Sequence, residues 1–342
     1  MVSPRVISST HRIIRVGTRG SDLALIQTRS LLDSLAEIAP QISFQIKVIR
    51  TVGDAPQSSS AQRSGAAGTS PGAGRPGDGA DQPSGGHSQR PEPASQLGDG
   101  IFVKAIQAAL LEGEIDMSVH SLKDLPTEPV KGLVIAAIPV RADPREALVG
   151  ATLESLAPGA RVGTGSPRRS AQIKWIRPDL QVMPIRGNVP TRISKARDKS
   201  YDAVMVAAAG LERLGLAADE IIDPDVILPA PGQGALAIET REQDSELAQV
   251  LAAVHDQPTR NAVVAERVVL RELGGGCLLP VAAFGRLVDG RLAVDAAVTA
   301  PGGEKQIRQH SEGDPGKPLA VGKAVARGLL RQGARELLEQ PG

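Results

Sequence analysis

Three strand-to-helix turns in this chain carry arginine beside glycine and hydroxyl residues. They are Gly17-Thr18-Arg19-Gly20-Ser21, Gly163-Thr164-Gly165-Ser166-Pro167-Arg168-Arg169 and Ile185-Arg186-Gly187-Asn188-Val189-Pro190-Thr191-Arg192. The free N–H groups at a helix start, together with a guanidinium, make an anion site. A cation at that end of a helix is otherwise slightly unfavourable, so its recurrence points to an anionic ligand that offsets the cost. Arg168 and Arg169 are adjacent, so they are expected to diverge around their helix and hold different anionic groups. The stretch from Ser118 to Pro126 contains His120, Lys123 and Asp124 at the end of another strand. Asp124 before Leu-Pro fits a simple turn, and His120 fits a satisfied core histidine. Inside a ring of arginines, however, an acid stays ionised and can stabilise a developing cation. Cys277 follows three glycines. It fits a small buried hydrophobe, or a thiol that the bare glycines leave open to something bulky. No second cysteine or clustered histidine supplies a zinc site. Gly232-Gln233-Gly234 lacks the further spacing of a nucleotide-binding loop.

The elements that must position these residues alternate. Residues 12–17 read as a strand, and Ser21 caps a helix running to Ile38 with apolar residues at helical spacing. Strands are expected from Ile42 to Val48 and at 115–119, 133–138, 147–149, 161–164, 180–185 and 202–206. Helices are expected at 102–114, from Ser166-Pro167 to Ile176, and near 190–199. This βαβ rhythm implies mostly parallel sheets with helices on their faces, and ligands in the crevice at strand C-termini. After Asp256 the pattern changes to a helix (259–273), alternating strands (281–284, 291–298) and one long final helix (317–338), a separate α+β unit.

The chain has 342 residues, 41% apolar, with a formal net charge of +1, enough for two or three domains with real cores. Charge balance and only five aromatic side chains argue against a dedicated nucleic-acid binder. Of the 39 basic residues 29 are arginine, a bias that a GC-rich genome would also produce, so position rather than number carries the argument. One cysteine excludes an internal disulfide framework and fits a reducing compartment. No apolar run is long enough to span a membrane, and the first fifteen residues lack a secretory h-region. Within residues 55–96, Gly, Pro, Ser and Ala make up 29 of 42 positions, with no aliphatic or aromatic side chain beyond alanine. Such a stretch cannot offset its ordering entropy by burial and is expected to be disordered, an insertion inside a domain.

These residues resemble the porphobilinogen deaminase (hydroxymethylbilane synthase) family. The resemblance runs from about Arg15 to Gly285 on the stretches 17–27, 102–126, 162–169, 185–214, 228–241 and 266–280, in the family's order. It implies two periplasmic-binding-protein-like α/β sheet domains around a cleft, plus a C-terminal α+β domain that presents the cysteine loop. The implied domain bounds are 1–137 with 233–250 (and the insert at 55–97), 138–232, and 251–342. It further implies a cytoplasmic, monomeric transferase that joins four porphobilinogen molecules head to tail with loss of ammonia. Water then frees the linear tetrapyrrole. The implied primer is a dipyrromethane cofactor held by a thioether to Cys277. By the same resemblance Asp124 is the catalytic acid. Asp54, Lys123, Thr164, Ser166, Arg168 and Arg169 contact the cofactor, while Arg19, Ser21, Phe102, Arg186 and Arg192 contact substrate; no metal is implied. Departures from the family pattern are Asp22, Pro167, Gly274, Leu278, and Ser95 and Asp99 where some members have lysines. A two-lobed binding protein for a small polyanion, or a regulatory domain for a sugar phosphate, would use the same cations. Neither would need Cys277 or Asp124.

Overall fold

The computed structural model describes residues 12–50, 97–276 and 279–339. Asp54, Ser95, Cys277, Leu278 and nearly all of the insert lie outside the described residues.

The first domain opens with β1 (Arg12–Thr18), α1 (Asp22–Ile38) and β2 (Ile42–Val48). Ser21 caps α1, its Oγ accepting the Ala24 N–H at 3.3 Å, and Pro40 follows the last turn, where it disfavours continued helix. Leu31, Leu32 and Leu35 form the buried stripe of α1 against Ile14 and Val16 of β1. Next come α2 (Leu97–Leu111), β3 (Met117–Ser121), a 3-10 turn (Leu122–Asp124) and β4 (Leu133–Ala137). The chain then builds a second domain: β5 (Glu146–Val149), β6 (Arg161–Gly163), α3 (Pro167–Ile176), β7 (Gln181–Met183), α4 (Val189–Arg197), β8 (Ala203–Ala207), α5 (Ala208–Arg213) and β9 (Glu220–Ile222). It returns to the first domain as β10 (Leu236–Arg241) and α6 (Ser245–Leu251).

The two sheets have the orders β2-β1-β3-β10-β4 and β7-β6-β8-β5-β9. The expectation of mostly parallel sheets needs correction. β1 pairs in parallel with β2 and β3, whereas β10 runs antiparallel between β3 and β4. Likewise β6 is parallel to β7 and β8, while β5 is antiparallel to β8 and β9. The antiparallel strands are those made as the chain crosses between domains, an arrangement that local alternation does not report.

The C-terminal domain packs α7 (Gln257–Glu272), α8 (Pro318–Arg331) and α9 (Ala334–Leu338) on an antiparallel sheet of β11 (Val281–Val288), β12 (Arg291–Thr299) and β13 (Gln306–Gly313). Its core gathers Ala265, Val269, Val294, Val298, Val325 and Leu329. The expected single final helix is broken at Gly333, whose φ of +88° suits only glycine well. β13 escaped the sequence pattern because Ile307 is its one aliphatic residue.

Two crossings join the first two domains, and they run side by side. Arg141 Nε donates to Gln233 O at 2.6 Å, Ala142 N–H to Gly234 O at 3.3 Å, and Gln233 Nε2 to Pro144 O at 2.8 Å. Glu266 of α7 binds both crossings. It takes two bonds from Arg141 (2.6 and 3.1 Å), one from the Gly232 amide (2.6 Å) and one from the Gly285 amide (2.7 Å). Four donors around one fully buried carboxylate satisfy a charge that would otherwise be costly. Gly234 has φ +84°, and a Cβ there would stand 2.4 Å from Ala142 O. Gly234→Ala is therefore expected to cost about 1–3 kcal/mol through backbone strain, read as a lower urea midpoint with unchanged m.

Candidate active site

The sequence-predicted residues lie on strand C-terminal ends of both sheets. In the first domain, Arg19 follows β1 and Asp124 follows β3. Arg19 Nη1 is 3.9 Å from Asp124 Oδ2, and its guanidinium lies over the Phe102 ring, 4.6 Å from the centroid. α2 brings Phe102 there, and it starts earlier than expected because Val103, Ile106 and Leu110 bury its face regardless of the glycines before it. Arg19, Phe102 and Asp124 thus form one group, with Ser21 at the adjacent helix cap.

Lys123 points the other way, toward the second domain. Its Nζ donates to Gln233 Oε1 at 3.4 Å, and Arg169 Nη2 approaches the same oxygen at 3.5 Å. Arg168 and Arg169 do not diverge as expected. Both are buried and both reach Glu146, Arg168 Nη2 to Oε1 at 2.5 Å and Arg169 Nη2 to Oε2 at 2.6 Å. They also donate to Leu228 O and Met205 O, at 2.7 and 3.0 Å. Burial alone would raise the Glu146 pKa, but the two guanidiniums win and hold it at about 2. The Lys123 ammonium is pushed below the usual lysine range by desolvation and by the charge of Arg169, against the pull of Asp124 and Glu146.

Thr164 and Ser166 shape the start of α3. Thr164 Oγ1 accepts the Ser166 N–H at 3.2 Å, and Ser166 Oγ accepts the Arg169 N–H at 3.4 Å. The neighbouring β7–α4 turn carries Arg186, which is exposed, and Arg192, whose Nε donates to Gly187 O at 2.8 Å. The two turns are adjacent, since Thr164 N–H donates to Met183 O at 3.0 Å. Across the cleft, a methyl built on Gly210 would stand 3.8 Å from both Leu23 of α1 and Val189 of α4. Leu23, next to the Arg19–Ser21 turn, and Val189, within the Arg186–Arg192 turn, therefore both pack at Gly210. His120 is a satisfied core histidine, its Nε2 2.9 Å from Ser118 Oγ and 3.5 Å from Glu239 Oε2.

Sequence reasoning missed Glu146 and Gln233. A lone acid opening an otherwise apolar strand, and an amide between two glycines, were the available signals. The cationic and hydroxyl donor set fits a ligand rich in carboxylates. Arg169 Nε is buried with no hydrogen-bond partner, which suits an acceptor arriving with such a ligand.

Two family models match the chain. One is the porphobilinogen deaminase, dipyromethane cofactor binding domain, over residues 14–69 and 83–249; the other is the porphobilinogen deaminase C-terminal domain, over 261–331. The chain belongs to the porphobilinogen deaminase family. The porphobilinogen deaminase of Thermus thermophilus is 44% identical over 335 residues, 96% of this chain and 99% of its own. That of Deinococcus radiodurans is 42% identical over 96% of this chain and 98% of its own, and that of Acidothermus cellulolyticus 50% over 71% and 76%. Among solved structures, the methionine-binding protein MetQ aligns over 75% of this chain and 90% of its own, with 10% identity and a TM-score of 0.39. Membership of the porphobilinogen deaminase family does not favour the polyanion-binding alternative. No helix among the described residues is long and apolar enough to cross a membrane.

Proposed function

We infer that the chain condenses four porphobilinogen molecules, releasing ammonia at each step and finally the linear hydroxymethylbilane by hydrolysis. The observation that carries this reading is the Arg19–Phe102–Asp124 group standing beside the Lys123, Arg168 and Arg169 cations at the domain crossing. A carboxylate there faces the reacting ring, and cations on both sides take the substrate's own carboxylates.

Bound as a thioether on Cys277, dipyrromethane would supply the nucleophilic pyrrole carbon that the condensation needs. Lys123, Thr164, Ser166, Arg168, Arg169 and Asp54 are the residues that would hold it. Glu146 sets the two arginines in place and leaves the pair with one net positive charge, enough to grip a carboxylate without over-neutralising it. Arg19, Ser21, Arg186 and Arg192 hold the incoming porphobilinogen carboxylates, and Phe102 covers its ring. Asp124 stabilises positive charge on the substrate pyrrole nitrogen as the amine leaves, and assists the proton transfers. Lys123 donates from its ammonium to the carboxylates beside it.

The domain bounds given above follow the same reading, supported by the sheet memberships of β4, β5 and β10. We further read the protein as a cytoplasmic monomer. A single cysteine that must remain a thiol until it is alkylated supports a reducing compartment. Intact-mass measurement tests the function directly. Protein from a porphobilinogen-making host should exceed its sequence mass by one dipyrromethane and colour with acidic Ehrlich reagent. Cys277→Ala should show the sequence mass alone. Unmodified, fully folded wild-type protein would overturn the reading.

A further inference from the structure

Arg267 sits on α7 of the C-terminal domain, next to Glu266, and its guanidinium reaches into the first domain. Nη1 donates to Leu122 O at 3.3 Å and to Leu125 O at 3.0 Å, and Nη2 donates to Pro126 O at 2.5 Å. These three carbonyls bracket Lys123 and Asp124. The turn itself is a single short 3-10 segment, closed at its end by Leu125 N–H to Leu122 O at 3.2 Å. Turns of this kind have poor hydrogen-bond geometry and hold their shape through their surroundings. On the far side the turn is packed against the domain crossing, where a Cβ on Gly232 would stand 3.1 Å from Leu122 Cγ and 3.3 Å from Lys123 N.

We propose that Arg267 is a positioning residue for the reaction, fixing the direction of the Asp124 carboxylate and the Lys123 ammonium by holding the carbonyls before and after them. The proposal rests on the reading of Asp124 as the reacting carboxylate. Docking of the C-terminal domain does not need Arg267, because Glu266 already binds both crossings through Arg141 and the Gly232 amide. Arg267 instead places three hydrogen bonds on the first residue of the turn and the two residues that follow it. A planar fork with five N–H groups can serve three acceptors in a fixed geometry, which a lysine cannot. The same segment also receives the start of the glycine run after α7, since a Cβ on Gly275 would stand 3.2 Å from Thr127 Oγ1. Arg267 and that run therefore hold 122–127 from one side together.

Displacing a reacting group by about 1 Å can cost roughly 10²-fold in rate. On the loaded holoenzyme, Arg267→Ala is expected to lower kcat about 10–100-fold while KM for porphobilinogen stays within about threefold. Amide exchange across 122–127, followed by mass spectrometry, should accelerate about tenfold or more, with exchange in β12 unchanged. Arg267→Lys should recover part of both effects. Wild-type kcat and wild-type exchange at 122–127 in Arg267→Ala would overturn the proposal. So would a lowered melting temperature with kcat intact, which is the signature of a domain tie alone. Should Arg267→Ala not accumulate as folded protein, Arg267→Lys carries the test: intermediate exchange and kcat support the proposal, and wild-type values overturn it. Normal turnover in Asp124→Asn would instead sink the reading of Asp124, and the exchange measurement would still report whether the turn is anchored.

Discussion

Asp124→Asn should give a folded protein that loads its cofactor slowly or not at all when expressed alone and, once loaded, turns over about 10³-fold more slowly or worse. The fold has little to lose. Asp124 keeps 27% of its side-chain surface exposed, and its contact with Arg19 is a long one at 3.9 Å. Arg19 retains the Phe102 face when the charge is removed, and Lys123 retains Glu146 nearby. A half-buried pair at this long distance contributes on the order of 1 kcal/mol to stability. The chemistry has much more to lose. A preorganised group aimed at developing charge is worth roughly 10²–10³ in kcat, and positioned proton transfer adds roughly 10²–10⁴. Substrate affinity should hold within a few-fold, because the carboxylates of porphobilinogen meet the arginines. Single-turnover kinetics on loaded protein, with equilibrium binding alongside, would separate the two. A near-normal kcat would remove Asp124 from the reaction.

Glu146→Gln should produce the largest loss of stability of any single isosteric change in the site. It leaves Arg168 and Arg169 facing each other in a buried site without their shared counter-ion. Breaking a buried pair in this way costs about 3–5 kcal/mol. Linkage gives a similar figure. A carboxylate with a folded pKa of about 2 and an unfolded value of 4.5 contributes about 3 kcal/mol at neutral pH. Because the folded value is the lower one, the unfolded chain binds the extra proton between pH 4.5 and 2. That contribution is therefore complete above pH 4.5 and is lost as the pH falls toward 2. Urea unfolding of wild type and Glu146→Gln across pH 7 to 3 tests this, since the difference isolates Glu146 from other carboxylates with lowered pKa values such as Asp116 and Asp295. The two curves should converge as the pH falls. A constant small difference would mean that the arginines find other partners.

Much of the architecture was legible in the sequence because it rests on local chemistry. Ser21 and Ser166 cap the helices they were expected to cap, and the oxygens accept the expected amides. The three arginine turns stand at strand C-terminal ends because Gly, Ser and Thr mark such turns whatever lies around them. What was not legible depends on partners far along the chain. Arg168 and Arg169 read as divergent from helix geometry alone, and only the acid 22 residues before Arg168 turns them to one point. Arg267 looks like an ordinary polar position on an amphipathic helix, and its nearest target is 141 residues away. The antiparallel course of β10 could not be read from alternation, since its neighbours β3 and β4 are separated from it by an entire domain.

That late strand has a consequence for biosynthesis. β5 to β9 are contiguous in the chain, so the second sheet can close on the ribosome as soon as residue 222 has emerged. The first sheet cannot, because among the described residues β4 pairs in it with β10 alone, and β10 ends at residue 241. The N-terminal half of the protein therefore waits, with one sheet margin open, while the half made after it finishes first. During that interval the nascent chain is most in need of protection from off-pathway strand pairing.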